Sequence, residues 1–131
     1  MANLFLPDSN IYITALRSGH NPFHLFVSGP VEEREFATCD MVMLEVRRGL
    51  RDPGLRQRFR TQFAAMIFLP TTNEVWERAT QLAWDLDRRG VVLPAPDLII
   101  AACALQADAT VLTTDLHFQS VPGLRTLAAL D

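Results

Sequence analysis

Leu4-Phe5-Leu6-Pro7-Asp8-Ser9-Asn10 is the stretch on which the fold turns: a short apolar run, a proline, and a carboxylate directly behind them. The run Leu4–Leu6 reads as a buried strand. Helical spacing follows over Asn10–Leu16, with Ser9 as its candidate N-cap. A strand that hands over at once to a helix is the opening of a βα unit, and the pattern recurs along the chain. Phe36–Cys39 reads as a second strand, and Asp40 is placed to cap a helix over Met41–Leu50. Arg51–Gly54 is a break, Leu55–Ala65 is helical, and Met66–Leu69 is a third strand ending at Pro70. Asn73 is a candidate cap for an amphipathic helix through Arg88, with Val75, Ala79, Leu82, Ala83 and Leu86 on one stripe, and Gly90 stops it. Pro96 opens a helix over Asp97–Gln106 at the position proline prefers. Thr110–Thr113 is a fourth strand, Val121-Pro122-Gly123 a turn, and Leu124–Leu127 a fifth, edge strand. Between the first two strands, Ser18–Asn21 is turn-like, Pro22–Val27 is weakly helical and Ser28-Gly29-Pro30 is a break. Strands alternating with helices give an α/β class with a mostly parallel, about five-stranded sheet.

The 131 residues are the size of one domain, and residues 1–131 read as a single one. With 49% hydrophobic and 21% charged residues the composition is that of a globular protein. The apolar runs fall short of the ~20 residues that span a bilayer, and the N-terminus lacks the basic leading region of a secretory signal. Cys39 and Cys103 lie in separate apolar stretches and read as buried hydrophobes, with a disulfide or zinc site as the alternatives. That fits a reducing cytoplasm. The net charge of −3 speaks against a general nucleic-acid binder. Yet all twelve basic residues are Arg. Six of them (Arg47, Arg48, Arg51, Arg56, Arg58, Arg60) crowd one segment opposed there only by Asp52. They form either a solvated helix face or a set of bidentate phosphate contacts.

Ligands of parallel sheets gather beyond the carboxyl ends of the strands. Asp8 follows the first strand and Asp115 the fourth, so both should emerge at one edge. Glu45 shares a helix face with Met41 and Val42, and Asp97 shares one with Ile100, Ala101, Ala104 and Leu105. A carboxylate that extends an apolar stripe is costly unless paired or bound to metal. Singly, each acid has another explanation. Asp8 could cap a helix, Asp97 could answer a helix dipole, Asp115 could start a turn, and Glu45 could reach a solvent rim. Together they point to a carboxylate cluster suited to Mg2+ or Mn2+. Two such ions could clamp the attacking and leaving oxygens of a phosphodiester.

Four segments in order resemble the PIN-domain family, and particularly the VapC-type toxins of bacterial toxin–antitoxin pairs. They are Leu6-Pro7-Asp8-Ser9-Asn10; Leu44-Glu45-Val46-Arg47-Arg48-Gly49; Asp97-Leu98-Ile99-Ile100-Ala101-Ala102 after Gly90 to Pro94; and Val111-Leu112-Thr113-Thr114-Asp115-Leu116-His117-Phe118. The resemblance implies a three-layer α/β/α fold and a metal-dependent endoribonuclease in which Asp8, Glu45, Asp97 and Asp115 bind the metal. Thr113 would hold the carboxylates or a water, with Asn10 and Ser9 in support. It also implies an RNA substrate, a cognate antitoxin that threads a segment over the site, and a homodimer. Phe23, Leu25 and Phe26 are candidates for an interface, with core packing as the alternative. Two residues depart from the family pattern. Ser9 stands where Thr is usual. His117 stands where many members carry a further acid, so the site has one acid fewer; it reads as a surface turn histidine, with contact to phosphate or substrate as the alternative. His20 and His24 have no identifiable ligand partner in sequence. A catalytically silent PIN-like module that binds RNA or protein is the competing function. A phospho-accepting receiver is excluded by the absence of Lys, and a haloacid-dehalogenase-type phosphatase by Asn10, where it needs a second aspartate.

Overall fold

Successive residues of a strand point to opposite faces, so consecutive buried residues mean that both faces are covered. Phe5, Leu6 and Pro7 are all buried, as are Ala37–Cys39 and Thr110–Leu112. The central strands of this computed structural model, which describes residues 3–27 and 34–130, therefore lie inside a three-layer α/β/α arrangement. The strands are β1 (Leu4–Pro7), β2 (Glu35–Cys39), β3 (Ile67–Leu69), β4 (Thr110–Leu112) and β5 (Thr126–Leu127), in the order β3-β2-β1-β4-β5. Every described pairing is parallel. In the central pair Phe5, Leu6 and Pro7 stand against Thr110, Val111 and Leu112.

The helices are α1 (Ser9–Arg17), α2 (His24–Val27), α3 (Asp40–Arg48), α4 (Pro53–Ala64), α5 (Asn73–Arg88) and α6 (Ala95–Ala107), and Leu116–Ser120 forms a 3-10 turn. Their starts correct four sequence expectations. Asp8, not Ser9, caps α1, because its carboxylate reaches the Ser9 N–H. Asp40 is the first residue of α3 rather than its cap, and extended Cys39 occupies the cap position. Asp52 caps α4 through the Leu55 N–H and Pro53 takes the first helical position, so the helix begins inside the expected break. The Thr72 hydroxyl caps α5 in place of Asn73. For α1 and α5 the capping oxygen lies one residue earlier than expected, between neighbours of similar propensity. The expected break at Ser28-Gly29-Pro30 lies outside the described residues.

The α5 stripe is as expected, with Val75, Ala79 and Leu86 buried. Helix α6 is not a striped helix: Leu98 to Ala104 are all buried. Small side chains at Ala101, Ala102 and Ala104 permit that, and they leave Asp97 at the mouth of a helix enclosed by protein. Beyond α5, Gly90 adopts φ +79°, a left-handed conformation that glycine enters at little cost. Cys39 and Cys103 are buried and unbridged.

Tyr12, Phe23, Phe26, Phe59 and Phe63 form an aromatic cluster joining α1, α2 and α4, with ring centroids 4.9–6.2 Å apart. Phe23 and Phe26 thus belong to packing within the chain, whereas Leu25 is 45% exposed. Tyr12 is fully buried, and burial holds its phenol far above its usual range. Its hydroxyl bonds to Met66 Sδ at 3.7 Å, a weak acceptor. Tyr12→Phe should therefore change unfolding free energy by less than about 1 kcal/mol in urea titrations, below the usual value of a buried hydrogen bond. The Arg-rich segment divides. Arg56 Nη1 donates to the carbonyls of Arg47 (3.0 Å) and Leu50 (3.3 Å), so it closes the C-terminus of α3 instead of facing a ligand.

Candidate active site

From β1 the sheet grows outward through β2 and β3 on one side, and through β4 and β5 on the other. The boundary between β1 and β4 is therefore a topological switch point, where crevices form beyond the strand ends. Asp8 leaves β1 there, and Thr113, Thr114 and Asp115 leave β4 there. The Asp8 N–H donates to Leu112 O at 2.9 Å, which carries the ladder one residue past the strand and fixes where the carboxylate emerges.

Asp8 is 3% exposed. Its Oδ1 accepts from the Ser9 N–H at 2.7 Å, and its Oδ2 accepts from the Thr113 hydroxyl at 3.0 Å. Thr113 Oγ1 in turn accepts from the Asp115 N–H at 3.0 Å, so one hydroxyl ties the acids of two strands together. Ser9 Oγ lies 3.2 Å from Glu45 Oε1 and 3.4 Å from Asp8 Oδ1, linking α1 to α3. Asp115 Oδ1 accepts from the His117 N–H at 2.9 Å and opens the 3-10 turn. His117 Nδ1 lies 3.0 Å from Asp97 Oδ2 and 3.3 Å from Asp115 Oδ1. Buried Phe118, the next residue, anchors this turn.

Charge follows the geometry. Burial pushes the Asp8 carboxyl up to about 6, against the hydrogen bonds from Thr113 and Ser9; the charges of Asp97 and Glu45 add to the rise. Glu45 is raised by burial and by Asp97, with Ser9 and Arg48 opposing. Asp97 is raised by burial and by Asp115, with His117 opposing. The His117 imidazole is raised by its hydrogen bond to Asp97 and by the charge of Asp115. The charge of Asp97 raises both Asp8 and Glu45, and Asp97 itself lies beside His117 and Asp115. All four acids singled out in the sequence fall in one electrostatic neighbourhood, with Thr113 and Ser9 between them.

The single-residue explanations also hold. Asp8 does cap α1, and Asp115 does start a turn. A carboxylate has two oxygens, and a cap uses only part of its capacity. His117 lies on a surface turn, as expected, with its side chain 51% exposed, and it also contacts two of the acids. The signal in the sequence was the Asp115-Leu116-His117 spacing just past a strand end.

The donor set fits a divalent cation. Asp97, Asp115 and His117 each offer one ligand atom, all within 4.8 Å of one another. In the first turn of α1, Asn10 Oδ1 is buried without a hydrogen-bond partner. Carboxylates held close against mutual repulsion are what hard cations relieve.

A family model of the PIN domain matches residues 5–124. The chain belongs to the PIN-domain family. No curated protein matches this PIN domain. Solved structures do. The VapBC2 complex of Rickettsia felis, bound to a promoter DNA fragment, aligns with TM-score 0.80 at 17% identity, covering 95% of this chain and 97% of that one. A toxin–antitoxin complex of Klebsiella pneumoniae gives 0.71 at 23% identity, covering 96% and 98%. A sarcin–ricin-loop-cleaving VapC toxin of Mycobacterium tuberculosis gives 0.65 at 15% identity, covering 92% and 98%. At these identities the likeness is one of fold.

Proposed function

We propose that this PIN domain, a single domain over residues 1–131, is a metal-dependent endoribonuclease, the toxin of a type II toxin–antitoxin pair. One observation carries the proposal: Asp8, Glu45, Asp97 and Asp115 lie together beyond the β1/β4 strand ends, joined through Ser9, Thr113 and His117. These four would hold Mg2+ or Mn2+, which when bound lowers the pKa of a coordinated water and offsets charge on phosphodiester oxygens. The protein's own part is positional. Thr113 keeps the Asp8 and Asp115 groups in register. Ser9 holds Glu45 towards Asp8. Arg48 lies close enough to Glu45 to lower its carboxyl, at the rim where a phosphate would approach.

A cognate antitoxin is proposed as partner, because the fold neighbours include toxin–antitoxin complexes. A homodimer and a cytoplasmic site of action are proposed on the family resemblance. Among the described residues no helix is long and apolar enough to cross a membrane. Induced expression followed by sequencing of RNA ends tests the function. New cleavage ends and growth arrest are expected from the wild type and not from Asp8→Asn; the same ends from both proteins would refute it. Thr113→Val should lower cleavage by about 10–100-fold while all four acids remain, since outer-shell partners of metal ligands carry effects of that size. Single-turnover rates at saturating Mg2+ read this out.

A further inference from the structure

We propose that His117 Nδ1 is a metal donor beside Asp97 and Asp115. This PIN domain would then have a cation position with one nitrogen and two carboxylate ligands, which favours first-row transition ions over Mg2+. The inference rests on the proposed function in requiring metal at the acids, and it goes further by assigning a ligand and a metal preference.

Three observations carry it. The first is distance. Cations with bonds of about 2.1 Å place neighbouring donors about 3.0 Å apart in octahedral geometry. His117 Nδ1 stands 3.0 Å from Asp97 Oδ2 and 3.3 Å from Asp115 Oδ1, and the three donors lie within 4.8 Å of one another. The second is that the ring is placed by the backbone. The His117 N–H is bonded to Asp115 Oδ1 at 2.9 Å, and Phe118 is fully buried, so Nδ1 is presented to the acids by an anchored turn. The third is donor chemistry: Asp8 and Glu45, joined through Ser9, offer oxygen alone, whereas the Asp97–Asp115–His117 group offers oxygen and imidazole nitrogen. All-oxygen sets suit Mg2+, whereas imidazole ligands shift preference towards later ions of the Irving–Williams order. The residue that looked like a missing acid is a ligand of a different element.

The test uses the full chain, with His117→Gln, His117→Asp and Asp97→Asn as variants. Binding of Co2+ and of Mg2+ is measured by calorimetry, and the Mn2+ complex is examined by pulsed electron paramagnetic resonance for coupling to nitrogen-14. The wild type is expected to show nitrogen coupling that both His117 variants lose. The preference for Co2+ over Mg2+ should fall by about tenfold in both variants, and His117→Asp should still bind Mg2+. His117 is half-exposed, so folding is retained, and thermal melts of the metal-free variants check this. Wild-type binding of Mn2+ without nitrogen coupling, with an unchanged Co2+/Mg2+ ratio, would leave His117 as a hydrogen-bond partner only. That overturns the inference while the four-acid site stands, provided Asp97→Asn loses binding. A wild type that binds none of these ions at millimolar concentration overturns both.

Discussion

Asp8→Asn is expected to abolish RNA cleavage and, in the same molecule, to stabilise the metal-free protein. Both effects have one origin. Asp8 is 3% exposed, and burial lifts its carboxyl from the ordinary 3.8 to about 6. Ionised at pH 7.5, it costs the metal-free fold about 2–3 kcal/mol, at about 1.4 kcal/mol per pKa unit. Asn is close in shape, carries no charge and can still accept from the Ser9 N–H or the Thr113 hydroxyl. The variant should melt about 5 °C or more above the wild type in EDTA, given roughly 4 °C per kcal/mol at this chain length. Activity moves the other way. If the metal contributes several kcal/mol of transition-state stabilisation, losing a buried ligand should cost about a thousandfold or more in rate. A purely structural aspartate would give neither the gain in melting temperature nor the selective loss of cleavage. A variant that melts below the wild type in EDTA would show that the Asp8 capping bond outweighs its desolvation.

Stability of the metal-free protein should rise as pH falls from 7.5 to 5, the reverse of ordinary acid destabilisation. The folded carboxyls of Asp8, Glu45 and Asp97 are all raised above their unfolded values. The penalty of ionising them is absent below their unfolded values and grows as pH rises through the folded ones, which for Asp8 means through about 6. His117 acts in the same direction. Its folded pKa is raised, so the stability it contributes is present at low pH and lost as pH rises through that value. Saturating metal should reverse the trend. Cation binding requires the ionised carboxylates, so its stabilising increment grows with pH. At one hundred times the dissociation constant the increment is about 2.7 kcal/mol. Thermal melts at pH 5 and 7.5, with Mn2+ or EDTA, should therefore show a metal-induced gain of several degrees at pH 7.5 and almost none at pH 5. Equal gains at both values would place the cation away from the buried acids.

The fold was legible because its strands announce themselves. Leu4–Leu6, Phe36–Cys39 and Thr110–Thr113 are short apolar runs bounded by proline, polar or acidic residues, and each lies within a residue or so of its observed strand. Helix caps were less legible. Asp8 and Ser9, or Thr72 and Asn73, are adjacent residues of similar capping strength, and only the backbone turn decides which oxygen reaches an N–H. The enclosure of α6 was illegible for a different reason. Leu98 to Ala104 has no polar face to break its periodicity, so the spacing of its larger residues suggested a stripe where burial is complete. The common edge of Asp8 and Asp115 was readable from position, since each follows a strand and the two strands, β1 and β4, are neighbours in the sheet. His117 was not. Its contact with Asp97 joins a turn after β4 to the first turn of α6, a pairing that arises only once both elements are in place.

The most direct test is single-turnover cleavage of RNA by the purified chain, with Mn2+ titrated from zero in the presence of wild-type, Asp8→Asn and Asp97→Asn proteins. Wild-type cleavage should appear with Mn2+, saturate and vanish on EDTA addition, while both variants stay at background at every concentration. Mn2+-dependent cleavage by both variants at the wild-type rate, or wild-type cleavage that persists in EDTA, would contradict a metal centre built on the acids at the β1/β4 switch point.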